Sequence, residues 1–196
     1  MEVAFVRVPA RHQCEAVVSF DNGRVFRIVS PGAFRVPPHD LAQFVVEHEL
    51  GWQTGFWGYI ARGVVFREMM QEEGKRPPHG EERSRSAIRG AKDLLAETEM
   101  LAGAVAEIAR ANLERDPSRT AALLARAWWP PHSNAAQLPL ADVRRACRAL
   151  RQAEADWPAV VMGDSLRFRW SLRRNPLAPE NPLDAKTAER RRRARR

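Results

Sequence analysis

Lysine, cysteine and tyrosine are scarce in this chain of 196 residues: three lysines among 32 basic residues, two cysteines and a single tyrosine. No apolar run reaches the roughly 18 residues that a membrane-spanning helix needs. The N-terminus, Met1-Glu2-Val3-Ala4-Phe5-Val6-Arg7, lacks the basic, apolar and small-residue succession of a secretory signal. These absences point to a cytoplasmic protein without membrane contact. Cys14 and Cys147 stand alone, which excludes a C-x-x-C redox pair and zinc-ligand spacing, and both read as buried thiols. H-E-x-x-H, G-x-S-x-G, G-x-G-x-x-G and the P-loop pattern are missing too. No metal and no cofactor is expected from these residues, and no catalytic residue can be named.

What is present is an ordinary soluble balance, 44% hydrophobic and 29% charged, in a length suited to one domain. The net charge of +8 is unevenly placed. Residues 183–196 hold seven basic residues against Asp184 and Glu189, leaving only +3 for the rest of the chain. Arginine supplies 29 of the 32 basic side chains, a bias that resembles a GC-rich coding background.

Pattern along the chain divides it into 1–174, a single α+β domain, and 175–196, a disordered Pro/Arg-rich tail. Three β-rich runs open it, at 3–8, 14–20 and 24–29, and Asp21-Asn22-Gly23 supplies a hairpin turn between the last two. Pro37-Pro38 forces extended backbone, and a helix over 41–50 follows, with Asp40 and Gln43 in capping-box positions and Gly51 as its stop. Further helices are expected over 55–70, 87–113, 118–129 and 140–157, with 71–86 an exposed charged loop. Strict alternation over 165–172 marks a late strand, with Leu166, Phe168, Trp170 and Leu172 on one face and Arg167, Arg169 and Arg173 on the other. That strand should complete an antiparallel sheet with the N-terminal strands, packed against four or five α-helices.

Candidate chemistry concentrates between residues 39 and 58. At about 100° per residue, Leu41, Phe44, Val45 and His48 share one arc, while His39, Asp40, Gln43 and Glu47 gather on the other. The first arc makes His48 a core histidine. The second is a candidate pocket, although a capped helix start with a solvated polar face explains the same residues. The glycines and aromatics of Gly55-Phe56-Trp57-Gly58 read as close packing of a helix onto the sheet.

Pro38-His39-Asp40-Leu41, Phe44, Val46-Glu47, the Gly55-Phe56-Trp57-Gly58 cluster and Gly163-x-x-Leu166-x-Phe168-x-Trp170 together resemble an uncharacterised family of small bacterial proteins with a P-H-D-L-x-H-x-x-V-E core. The resemblance spans most of residues 1–173 and implies an architecture and a bacterial origin, with no established activity. Gln43 stands where that pattern carries a histidine, which weakens a metal role.

Three functional readings follow. The first is a non-enzymatic binding or accessory protein. The second is electrostatic binding of nucleic acid or another polyanion through Arg190, Arg191, Arg192, Arg193, Arg195 and Arg196. The third is a hydrolase or metal-dependent enzyme using His39, Asp40 and Glu47.

Overall fold

The computed structural model describes residues 1–9, 14–29, 37–127 and 138–171. The chain is α+β. Strands β1 (Glu2–Arg7), β2 (Cys14–Ser19), β3 (Val25–Val29), β4 (Met69–Glu73) and β5 (Ser165–Arg169) form one antiparallel sheet in the order β4-β3-β2-β1-β5. Six α-helices are seen among the described residues: α1 (His39–Leu50), α2 (Phe56–Ala61), α3 (Gly80–Gly90), α4 (Lys92–Arg110), α5 (Pro117–Arg126) and α6 (Leu140–Asp156).

Alternation decides which face of the sheet is buried. Val3 pairs with Val18 and Val18 with Phe26, while Phe5 pairs with both Ala16 and Leu166. Val3, Phe5, Ala16 and Val18 are fully buried, with Phe26 nearly so. The same alternation turns Glu15, Arg27 and Arg167 to the other face, where Arg27 pairs with Glu15 and Glu72. The β2–β3 turn forms where Asp21-Asn22-Gly23 stands, with Gly23 at φ 78 and the Phe20 N–H donating to the Arg24 carbonyl. The late strand closes the sheet against β1, as its alternation requires.

Helix α1 lies in the middle of the helical layer, packed against both α4 and α6, which also pack on each other. Its Phe44 ring meets Phe5 of β1 at 5.5 Å, Trp57 of α2 at 5.3 Å and Trp170 beyond β5 at 5.4 Å, so one aromatic cluster joins sheet and helices. Edge-to-face rings of this kind add to the gain from burial alone. Arg145 of α6 reinforces the contact by donating to the Glu49 carbonyl at 2.5 Å, with its Nε 3.3 Å from the Glu49 carboxylate.

The region after α1 departs from the pattern reading. The helix expected over 55–70 is only six residues long. It ends at Arg62 and Gly63, whose φ of 85 belongs to the left-handed region that favours glycine. Met69 then enters an edge strand, β4, bonded to β3. The expected loop over 71–86 is exposed apart from half-buried Gln71 and Gly80 and buried Ser84, but it contains the rest of β4 and the first half of α3. The single helix expected over 87–113 is two helices, broken at Ala91 (φ −115, ψ 7), and a short 3-10 turn, Leu113–Arg115, follows α4. Helix α5 starts on Asp116, whose side chain accepts the Arg119 N–H at 3.0 Å, and Pro117 takes the first helical position. Leu172, Arg173 and the tail 175–196, with its six arginines, lie outside the described residues.

Candidate functional site

Helix α1 starts without a side-chain cap. Its N-cap is Pro38, and the expected capping box of Asp40 and Gln43 does not form. Asp40 sits inside the first turn, where a negative charge suits the helix dipole, and its carboxylate is 3.2 Å from His39 Nδ1. The C-terminal stop is as expected. Gly51 takes φ 65, its N–H donates to the His48 carbonyl at 3.1 Å, and the Trp52 N–H donates to the Glu47 carbonyl at 2.9 Å, which is the Schellman arrangement.

The polar arc of α1 does not face solvent along its length. His39 is exposed and Asp40 partly so, whereas Gln43 is 8% exposed and Glu47 is 0% exposed. The Glu47 carboxylate points at the N-terminus of α2. Its Oε2 accepts the Trp57 N–H at 2.9 Å and the Gly58 N–H at 3.4 Å, the Phe56 N–H bonds to the carboxylate as well, and Oε1 accepts from Gln43 Nε2 at 2.9 Å. Glu47 therefore does from α1 what an N-cap side chain would do within α2, whose own N-cap is Gly55. Gln43 is spent on orienting this carboxylate and not on capping α1.

The Gly55-Phe56-Trp57-Gly58 cluster follows from the same contact. A Cβ on residue 55 would fall 2.3 Å from the Glu47 carboxyl carbon, and one on residue 58 would fall 2.5 Å from the Gln53 main chain. The expected purpose, close packing, is right, but the partner is a buried carboxylate and a turn of backbone more than the sheet. Trp57 adds a second tie to α1, its indole N–H donating to the Asp40 carbonyl at 3.2 Å. Burial drives the Glu47 pKa up to about 8, with the hydrogen bonds from Gln43, Trp57, Gly58 and Phe56 pulling the other way.

His48 is half-buried. Its ring stacks on Phe44 at 5.8 Å and meets Trp170 edge-on at the same distance, and its Nδ1 lies 3.4 Å from the Glu49 carboxylate. Core contact on one side and a polar neighbour on the other fit a packing role. Cys14 and Cys147 are both buried, and desolvation pushes the two thiols up to about 12 and about 11. Among the described residues no three His, Cys, Asp or Glu side chains gather where they could hold a metal ion.

A second charged centre lies along α6. The cleft between α6 and the 3-10 turn at Leu113–Arg115 has a volume of about 370 Å³ and is lined by Glu114, Arg115, Arg144, Arg148 and Arg151. Arg144, Arg148 and Arg151 are spaced i, i+4, i+7, so α6 turns all three to one side. Arg151 pairs with Glu114 Oε1 and donates to the Ala109 carbonyl at 3.1 Å, while Arg144 Nε donates to the Glu114 carbonyl at 3.0 Å. Burial works to raise the Glu114 pKa, but the hydrogen bonds from Arg151 and from the residue's own backbone N–H, with the charges of Arg151 and Arg115, outweigh it and hold the carboxyl below its ordinary value.

Pattern reading passed over this cleft. Its signal was the row of three arginines within the helix expected over 140–157, hidden by the general excess of arginine and by a turn whose position the sequence does not mark. Likewise, Val46 and Leu50 flank Gln43 on its arc and could have shown that this side of α1 is buried too. Neither a family model, nor a curated protein, nor a solved structure matches the chain.

Proposed function

We propose that the protein is a non-enzymatic binding or accessory protein whose partner is anionic. The observation that carries this reading is the α6 cleft, lined by four arginines against a single acidic residue. Arginine clusters of this kind recognise phosphate and carboxylate groups through paired N–H donors. A hydrolase reading on His39, Asp40 and Glu47 has less support. It would need the Glu47 carboxylate within reach of a substrate, and the amide groups of α2 already occupy it.

Titrating full-length protein into a labelled single-stranded oligonucleotide and, separately, into inorganic phosphate tests the reading. Binding of at least one that weakens as salt rises is expected. Absence of both at low salt refutes an anionic partner.

A second reading, electrostatic binding of nucleic acid through Arg190, Arg191, Arg192, Arg193, Arg195 and Arg196, rests on the net +5 of residues 183–196. Six arginines neutralising six phosphates of a single strand would give a log–log salt slope of about −4. Deleting 183–196 should flatten that slope to near zero; an unchanged slope removes the tail from consideration.

A further inference from the structure

We infer that the outward face of the sheet is a docking surface for a second copy of this chain, packed face to face about a two-fold axis parallel to the strands. The inference goes beyond the anionic-partner reading and does not depend on it. The inner face of the sheet carries Val3, Phe5, Ala16, Val18, Phe26 and Ile28, all buried in the core. Alternation turns Val6, Val17, Val25 and Val29 to the opposite face, where they stay half-buried, and Met70 beside them is 53% exposed. An antiparallel sheet with one wet face alternates to polar residues on that side. Here β1, β2 and β3 each place at least one valine there, which leaves apolar surface in the middle of the face.

Charge selects the occupant and its orientation. The β5 edge of this face carries Arg167 and Arg169, the β4 edge Glu72 and Glu73, and all four are exposed. Arg167 reaches Glu2 at 3.2 Å and Glu72 is held by Arg27, whereas the Arg169 and Glu73 side chains make no ion pair among the described residues. A two-fold axis across the strands would set β5 on β5 and β4 on β4, like charge on like. An axis along the strands, through β2, sets β5 of each copy on β4 of the other. Row by row in the strand register, Val17 then meets Val17, Val29 meets Val6, and Arg169 meets Glu73. Glu15 also falls on the axis, already neutralised by Arg27. Packed sheets lie about 10 Å apart with strands turned by about 30°, a gap that Arg169 and Glu73 can bridge at the rim. Five strands about 4.8 Å apart and about 17 Å long offer roughly 400 Å² to each partner, half of a standard interface, so the dimer is weak, with a dissociation constant on the order of 10–100 μM.

Sedimentation velocity of full-length protein from about 2 to about 500 μM tests the inference, and the sedimentation coefficient should rise from that of a monomer toward that of a dimer. Val17→Glu should keep the protein monomeric throughout, because it sets two carboxylates against each other on the axis. Arg169→Glu and Glu73→Arg, each alone, should weaken association by about tenfold, since each reversal acts at both ends of the interface. The variant carrying both reversals should recover wild-type association, a rescue that loss of structure would not produce. Neither side chain ties down another part of the described fold, so the charge swap decides the matter alone if Val17→Glu does not fold.

Protein that stays monomeric over the whole range overturns the inference, as does association left untouched in Val17→Glu. Species growing beyond the dimer would mean head-to-tail pairing of the open β4 and β5 edges and overturn the face-to-face arrangement. Single reversals without effect, or a double variant that does not recover, overturn the axis along the strands. None of these outcomes bears on the anionic partner, which the phosphate titration decides separately.

Discussion

Replacing Glu47 by glutamine should change how the stability of this protein depends on pH. In the unfolded chain the carboxyl titrates near its ordinary value of 4.5, and in the fold burial raises it to about 8. Between those values the folded protein holds a proton that the unfolded chain has released. Stability contributed by the protonated, buried form is therefore complete below about pH 4.5 and is lost as pH rises toward 8. The slope in that window is about 1.4 kcal/mol per pH unit, so wild-type protein should lose up to about 3 kcal/mol between pH 5 and pH 7 through this group alone.

Glutamine does not titrate, and the Glu47→Gln chain should lack that part of the slope. At pH 5 the variant should be the weaker by about 1–3 kcal/mol, because an amide cannot accept from all the N–H groups that converge on the carboxylate. The gap should close or reverse by neutral pH. Urea unfolding, followed by the fluorescence of buried Trp52 and Trp57 in steps from pH 4.5 to pH 8, measures both curves. Every other titrating group is common to the two chains, so their difference isolates residue 47. Parallel curves would refute the reasoning, since they would mean that the amides of α2 hold Glu47 ionised throughout.

Other outcomes are open to quick measurement. Gly55→Ala puts a methyl 2.3 Å from the Glu47 carboxyl carbon and should cost about 1–3 kcal/mol in a urea titration; a neutral result would show that the loop moves aside freely. Gly51→Ala should cost about 1 kcal/mol, because the helix stop at φ 65 then forces a side chain into left-handed backbone. The two buried cysteines should give no reaction with a disulfide reagent in native protein at pH 8 and two equivalents after denaturation; rapid native labelling would contradict the buried positions of Cys14 and Cys147.

Elements whose cause is local could be read from the sequence. Asp21-Asn22-Gly23 fixes a turn by its own backbone preferences, Gly51 stops a helix for the same reason, and Leu166 and Phe168 carry their alternation into a strand that ends at Arg169. β4 was hidden, because Met69-Met70-Gln71-Glu72-Glu73 has no β-branched residue and suits a helix as well; hydrogen bonds from β3 make it a strand. Gly90-Ala91 gave no stop signal strong enough to divide α3 from α4.

For the candidate site the difficulty was of another kind. The pattern on α1 assumes a helix with one buried face, but α1 packs against α2, α4 and α6 and meets β1 through Phe44, and its inner polar pair answers a need that arises only when α2 docks. Of residues 39, 40, 43 and 47, only Gln43 and Glu47 take part in that contact. Their partner, the open N-terminus of a six-residue helix, has no counterpart in local sequence.

The proposed anion site is at the arginines of α6, whereas the carboxylate of α1 is taken up by the N–H groups of α2. The most direct test is a side-by-side calorimetric titration of His39→Ala and Arg148→Gln with inorganic phosphate. Wild-type affinity is expected in His39→Ala and a loss of about fivefold or more in Arg148→Gln. Affinity lost in His39→Ala and kept in Arg148→Gln would contradict this placement.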